Sequence, residues 1–196
     1  MSSIHPALVA CDIPVFYATT EGQTRRIANR LVDAFREKGF VSRAFDVASF
    51  DADCIEWERV RAAVVGASLH RSRHQRAAAA FVRQHAADLN ARPSAFFSVS
   101  LAAASPMPVE REEAARLASG FPAEAGWHPQ KVVCVPGRLA YTHYGFLMRF
   151  IMKRIARRRG APTDTSRDYE FTNWDDVRFL ADGIVRKVAA RTPQAA

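Results

Sequence analysis

Cysteine is scarce and poorly spaced for bridging. Only Cys11, Cys54 and Cys134 occur in 196 residues, and no CxxC pair exists. An odd, scattered set argues against a disulfide framework and against a thiolate zinc site. Long apolar runs are missing too: nothing approaches the ~20 residues that span a bilayer. Met1 to Ala10 has neither a basic stretch nor an apolar core, so no secretory signal is expected. The expected compartment is the reducing cytoplasm. Neither GxGxxG nor GxxxxGK[ST] occurs, which disfavours a dinucleotide fold and a triphosphatase loop. Repeats, low-complexity tracts and linkers are absent as well, so residues 1–196 are expected to form one domain.

What is present is an alternation of short apolar runs and amphipathic stretches. Strands are expected at Ile13 to Ala18, Val41 to Asp46, Ala62 to Ala67, Ala95 to Leu101 and Val132 to Pro136. Helices are expected between them. Thr24 to Lys38 carries Ile27, Leu31, Ala34 and Phe35 at helical spacing and ends at Gly39. Gln75 to Leu89 places Ala78, Phe81, Val82 and His85 on one stripe. Glu110 to Ser119 is polar, Tyr144 to Arg159 is basic and amphipathic, and Trp174 to Ala190 closes the chain. Residues 105–130 look like an insertion or a long crossover, with Pro106, Pro108, Pro122 and Pro129 breaking it into pieces. Five strands alternating with helices predict an α/β fold: a doubly wound, five-stranded parallel sheet with helices on both faces. Ligands of such sheets sit beyond the carboxyl ends of the strands.

The first strand leads into Thr19-Thr20-Glu21-Gly22-Gln23-Thr24. Three hydroxyls and a glycine stand where a helix begins. The unpaired N–H groups and positive dipole end of that helix suit a phosphate dianion. Gly22 allows the backbone to fold closely around it. The blander reading is a helix cap. No metal site is expected.

The spacing T-x-[TE]-G-x-T after a first strand resembles that of flavodoxins. The resemblance implies FMN as cofactor, its phosphate held by Thr19, Thr20, Glu21, Gly22, Gln23 and Thr24. It further implies that Ser68, Leu69 and His70 after the third strand, and Ser98, Val99, Ser100 and Leu101 after the fourth, belong to two loops that sandwich the flavin ring. Other runs are similar to one branch, the menaquinone-dependent protoporphyrinogen IX dehydrogenases of haem synthesis. These are Glu21 to Arg25, Gly66 to Ser68, Pro93 to Val99, Tyr141 to Lys153, Thr163 to Thr165 and Tyr169 to Asp175. The loop Leu69 to His74 departs from related proteins in having no aromatic residue. The implied activity is oxidation of protoporphyrinogen IX to protoporphyrin IX, with a quinone as acceptor. Arg71, Arg73 and Arg138 are the candidates for the substrate's carboxylates. His70, His74 and His143 are candidate proton carriers, although a lone His more often packs or is solvated. Which residue acts as catalytic acid or base stays open.

The formal net charge is +8, from 28 Lys and Arg against 20 Asp and Glu. The excess is concentrated: Arg138 to Arg159 holds seven basic residues and no acid. A solvated helix face is the plain reading. The sharper one is peripheral contact with anionic lipid at the inner face of the membrane, through Arg149, Lys153, Arg154, Arg157, Arg158 and Arg159. Leu147, Met148, Phe150, Ile151 and Ile155 would form the apolar side. Nucleic acid is disfavoured, for want of aromatic interleaving or a known module. Three alternatives stay open: an electron-carrier flavodoxin, an NAD(P)H-dependent quinone reductase, and a flavin-free flavodoxin-fold binding protein. The positive charge opposes the carrier, which docks on basic partners. A homo-oligomer is neither required nor excluded.

Overall fold

The structure, a computed structural model, describes residues 8–143, 145–158 and 162–191; the side chains of His143, Leu147, Met148, Ile151, Met152, Ile155 and Arg158 lie outside that description. In chain order its elements begin with β1 (Val15–Ala18), α1 (Gln23–Arg36), β2 (Ala44–Asp46), β3 (Ala63–His70), β4 (Arg73–His74), α2 (Arg76–Gln84) and α3 (Ala86–Asn90). They continue with β5 (Ser94–Ser100), α4 (Pro108–Glu124), β6 (Lys131–Pro136), β7 (Arg138–Leu139), α5 (Phe146–Arg158), β8 (Tyr169–Glu170) and α6 (Trp174–Arg191).

Five strands pair in parallel in the order β2-β1-β3-β5-β6. The period-2 alternation of β1 sets the two layers. Val15 and Tyr17 point to one face, where α1 contributes Ile27, Leu31 and Phe35 and α6 contributes Val177, Leu180, Ile184 and Val188. Phe16 and Ala18 point to the other, against Phe81, Val82, Leu89, Phe121 and Trp127. Each large apolar side chain so buried contributes roughly 1.5–3 kcal/mol. Trp127 is fully buried because its indole N–H donates to Ser94 Oγ at 3.0 Å. Gly66 is dictated by packing: a Cβ there would lie 1.9 Å from Cζ of buried Phe97, its register partner on β5.

The expected doubly wound sheet with helices on both faces is present. Its parallel strands are flanked by two short additions that propensity did not announce: β4 folds back on β3, and β7 pairs antiparallel with β8. Four expectations need correction. The stripe from Gln75 to Leu89 is divided into α2 and α3 at His85, whose φ of −109° and ψ of 20° leave the helical region. Strand β2 starts only at Ala44, and Val41 is exposed, since only the end of that run pairs with β1. The prolines of 105–130 do not fragment it. Pro108 opens α4, where no N–H is required, and Pro122 falls in its last turn. The segment is thus the crossover from β5 to β6. Finally, Phe150 of α5 is 61% exposed, and buried Ala156 makes the described contact with the body.

Candidate functional site

The carboxyl ends of β1, β3, β5 and β6 form one edge, and the sequence-predicted residues gather along it. Gly22 has φ 84°, a left-handed turn into α1 that only glycine adopts without strain. Thr19 Oγ1 accepts from the Gly22 N–H at 2.9 Å and so closes the loop on itself. Thr20 and Glu21 are exposed. Thr24, in the first turn of α1, is fully buried and its hydroxyl has no partner among the described residues. Such a group is costly to bury unless something else meets it. A phosphate oxygen is a suitable acceptor, and the helix end adds N–H groups and positive potential. The residues therefore fit a phosphate monoester. Gln23 is engaged elsewhere: its amide donates to Glu170 Oε1 at 2.7 Å and to Thr172 Oγ1 at 2.8 Å. Only its backbone remains for an anion.

Ser68, Leu69 and His70 lie within β3 rather than in a loop, and Ser98, Val99 and Ser100 lie within β5. β3 runs past its apolar core because it finds a second partner in β4, and β5 stays paired with β3 through Val99 and with β6 through Ser100. Leu69 pairs with His74 and His70 with Arg73 across a two-residue turn. Arg71 and Ser72 form that turn with φ of 48° and 61°. Left-handed geometry costs a non-glycine residue roughly 1–2 kcal/mol. Two-residue hairpins favour glycine or asparagine there, which is why Arg-Ser carried no turn signal. Arg71, Ser72 and Arg73 are exposed.

The hairpin delivers two residues to the edge. His74 Nε2 and Ser98 Oγ share a hydrogen bond of 2.9 Å. Packing against Phe96 and Phe121 removes the ring from water and pushes its pKa down to about 4, so the imidazole is neutral at pH 7. Gln75 went unnoticed in the sequence. Its Nε2 donates to Ser68 Oγ and, at 3.2 Å, to Thr20 Oγ1. It thereby joins the phosphate loop to the end of β3. A single Gln ahead of a helix gives no local signal of such a bridge.

On the β5 and β6 side, Ser100 Oγ accepts from the Ala103 N–H, and Leu101 leads into a tight turn over residues 102–104. Ser100 O accepts from Gly137, whose own carbonyl accepts from Phe171. This ladder ties β5 to the β7–β8 pair. Arg138 is mostly buried, with Nη1 3.5 Å from Asp168 Oδ2 and Nε without a partner among the described residues. Leu139, Tyr141 and Ala156 form a small third core that seats α5, against Leu101, Tyr169 and Phe171. Arg149 turns inward and donates to Tyr141 O at 3.1 Å. Lys153 is half-buried, while Arg154 and Arg157 are exposed together with Phe146 and Phe150. The Arg158 side chain and Arg159 lie outside the described residues, as does the side chain of His143. Among the described residues no helix is long and apolar enough to cross a membrane, and no cluster of His, Cys, Asp or Glu is placed to hold a metal.

With this geometry in place, the chain can be set beside known proteins. The flavodoxin domain model matches residues 14–166. Protoporphyrinogen IX dehydrogenase [quinone] of Escherichia coli K12 is 32% identical over 170 residues, covering 87% of this chain and 92% of that one. The protein of the same name from Leishmania major is 30% identical over 186 residues, covering 92% and 77%. Among solved structures, oxidised Flavodoxin 1 from Bacillus cereus superposes with a TM-score of 0.53 at 13% identity, covering 89% of this chain and 97% of that one. A short-chain flavodoxin associated with a bacterial microcompartment gives 0.52 at 14% identity, covering 92% and 99%. With a match over most of the chain and a loop that fits a phosphate, this chain belongs to the flavodoxin family, and FMN is its cofactor.

Proposed function

We propose that this flavodoxin-fold oxidoreductase is a single-domain enzyme that oxidises protoporphyrinogen IX, or a close porphyrinogen, and delivers the electrons to a quinone such as menaquinone. The observation that carries the reading is the likeness, over 87% of the chain, to a protoporphyrinogen IX dehydrogenase [quinone]. Bound FMN supplies the capacity to take up a hydrogen pair from the substrate and release it to the quinone.

The chain's own residues do the rest. Thr19, Thr20, Gly22 and Thr24 hold the phosphate, with the backbone of Glu21 and Gln23. Ser68 to His70 and Ser98 to Leu101 border the ring. Arg71 and Arg73 stand exposed on the hairpin, where they meet the substrate's propionates without prior desolvation. Arg138, in β7 just past the end of β6, has an Nε without a partner among the described residues and adds a guanidinium held near Asp168. His74 is neutral and held by Ser98, so it orients the edge rather than storing a proton at pH 7. On α5, Phe146 and Phe150 are exposed beside Arg154 and Arg157. An aromatic and basic face of this kind suits the headgroup layer of an anionic membrane, where the quinone resides. The enzyme would then act from the cytoplasmic side.

The test is direct. FMN-loaded protein mixed anaerobically with protoporphyrinogen IX should produce porphyrin fluorescence only when a quinone is added. A yellow, flavin-loaded protein that forms no porphyrin above the protein-free rate would sink the reaction and keep the cofactor.

A further inference from the structure

We propose that Gln75 is a ligand of the cofactor's polyol chain: a hydroxyl-recognising side chain set between the phosphate loop and the end of β3. The inference rests on FMN being the cofactor and adds a contact that the loop alone does not provide. One end of the Gln75 amide is satisfied, by Ser68 Oγ and Thr20 Oγ1. The other end, Oε1, is buried and has no partner among the described residues. A buried amide oxygen left alone is destabilising, and its natural remedy is a donor.

The chemistry of that donor follows from the amide. A half-turn about its last bond exchanges oxygen and nitrogen, and the hydroxyls of Thr20 and Ser68 can donate or accept in either arrangement. In both arrangements the far end is buried and needs one hydrogen bond. A phosphate oxygen only accepts and an ammonium only donates, so each suits one arrangement. A hydroxyl suits both. Gln75, Thr20 and Ser68 are also uncharged, which favours a neutral, hydroxylated ligand over an ion. Thr20 belongs to the phosphate loop and Ser68 to the strand end assigned to the ring. The bridge therefore spans the same interval as the polyol that connects phosphate to ring.

Gln75→Met keeps the length of the side chain and removes its polar end. The probes are FMN, inorganic phosphate, and lumiflavin, which has the ring and a methyl group in place of the polyol. FMN affinity, followed by fluorescence quenching, should fall about tenfold on losing one hydrogen bond. Phosphate and lumiflavin affinities should stay within about twofold, because each lacks the group that Gln75 reads. Unchanged FMN affinity overturns the proposal. So does a parallel fall for phosphate, which means Gln75 acts through Thr20, or for lumiflavin, which means it acts through Ser68. Gln75→Asn draws the amide back by one methylene and should give the same pattern, which keeps the test open should the Met variant fold poorly. Failure of the unmodified chain to bind FMN is a different result and removes the cofactor reading along with this one.

Discussion

The two sides of the sheet's carboxyl edge are built on different principles. On the β1 side, the proposed phosphate cradle is six consecutive residues and one helix end, and its Thr24 hydroxyl is buried with no partner among the described residues. On the β6 side, residues from 101 to 171 are gathered by a two-stranded ladder and a small core of their own. The first side is local and generic to the cofactor. The second is assembled from distant segments, and it bears exposed Phe146, Phe150, Arg154 and Arg157. A flavodoxin domain can thus keep one side and vary the other. The likeness to the flavodoxin domain and the likeness to the dehydrogenases both span the two sides.

His74, joined to Ser98, stands between the two sides and offers the largest effect. Its folded pKa of about 4 lies below the ordinary value of 6.5. Between those values the unfolded chain takes up a proton that the folded chain refuses. This contribution is therefore intact above pH 6.5 and is lost as pH falls toward 4, by on the order of 3 kcal/mol. Urea unfolding at pH 7 and pH 4.5 should show wild type losing about 2 kcal/mol more than His74→Phe over that step. Equal losses would mean that the ring is not held neutral.

Thr24→Val comes next and isolates the β1 side. Valine is isosteric and removes only the orphaned hydroxyl, so the stability of the flavin-free protein should hold or rise slightly. FMN affinity should fall about 30-fold, or ~2 kcal/mol, for a hydrogen bond to a charged group. Binding to vesicles should not move. An unchanged FMN affinity would show that the hydroxyl is orphaned for some other reason.

The different construction also explains what could be read from the chain. The loop from Thr19 to Thr24 was legible as a strand-to-helix turn because its residues are contiguous: they follow a buried strand and open a helix. The sheet was legible from the density of apolar runs such as Ala62 to Ala67. The β3–β4 hairpin was not, because Arg71 and Ser72 adopt left-handed backbone without the glycine that would have announced it. Gln75 was not, because its partners lie 55 and 7 residues away and only the fold unites them. The engagement of Gln23 with Glu170 and Thr172, across 147 and 149 residues, was hidden for the same reason. The unity of α4 was obscured by counting prolines without asking whether each one fell at a helix end.

A smaller effect probes the β6 side. Arg154→Ser and Arg157→Ser should each weaken sedimentation with anionic vesicles by about 1 kcal/mol, roughly fivefold, and less so as salt is raised. FMN affinity should stay level, since both residues are exposed on α5 and neither belongs to the proposed cofactor site. Vesicle binding that ignores both changes would reduce α5 to an ordinary solvated helix.

The smallest effect tests whether the two sides are independent at all. Gln23 and Arg26 of α1 both reach Glu170 on β8, at 2.7 and 3.4 Å, and Thr172 passes the link on to Pro136 O at 2.7 Å. These bonds tether the first turn of α1 to the β7–β8 ladder. Glu170→Gln keeps its shape and removes its charge. Because Glu170 and Arg26 are partly exposed, water screens the ion pair and the loss of stability should be only about 0.5 kcal/mol. FMN affinity should change less than about twofold, and the effect should simply add to that of Thr24→Val. A tenfold change, or strong non-additivity in the double variant, would mean that the ladder sets the position of the phosphate helix. The β6 side would then tune the cofactor.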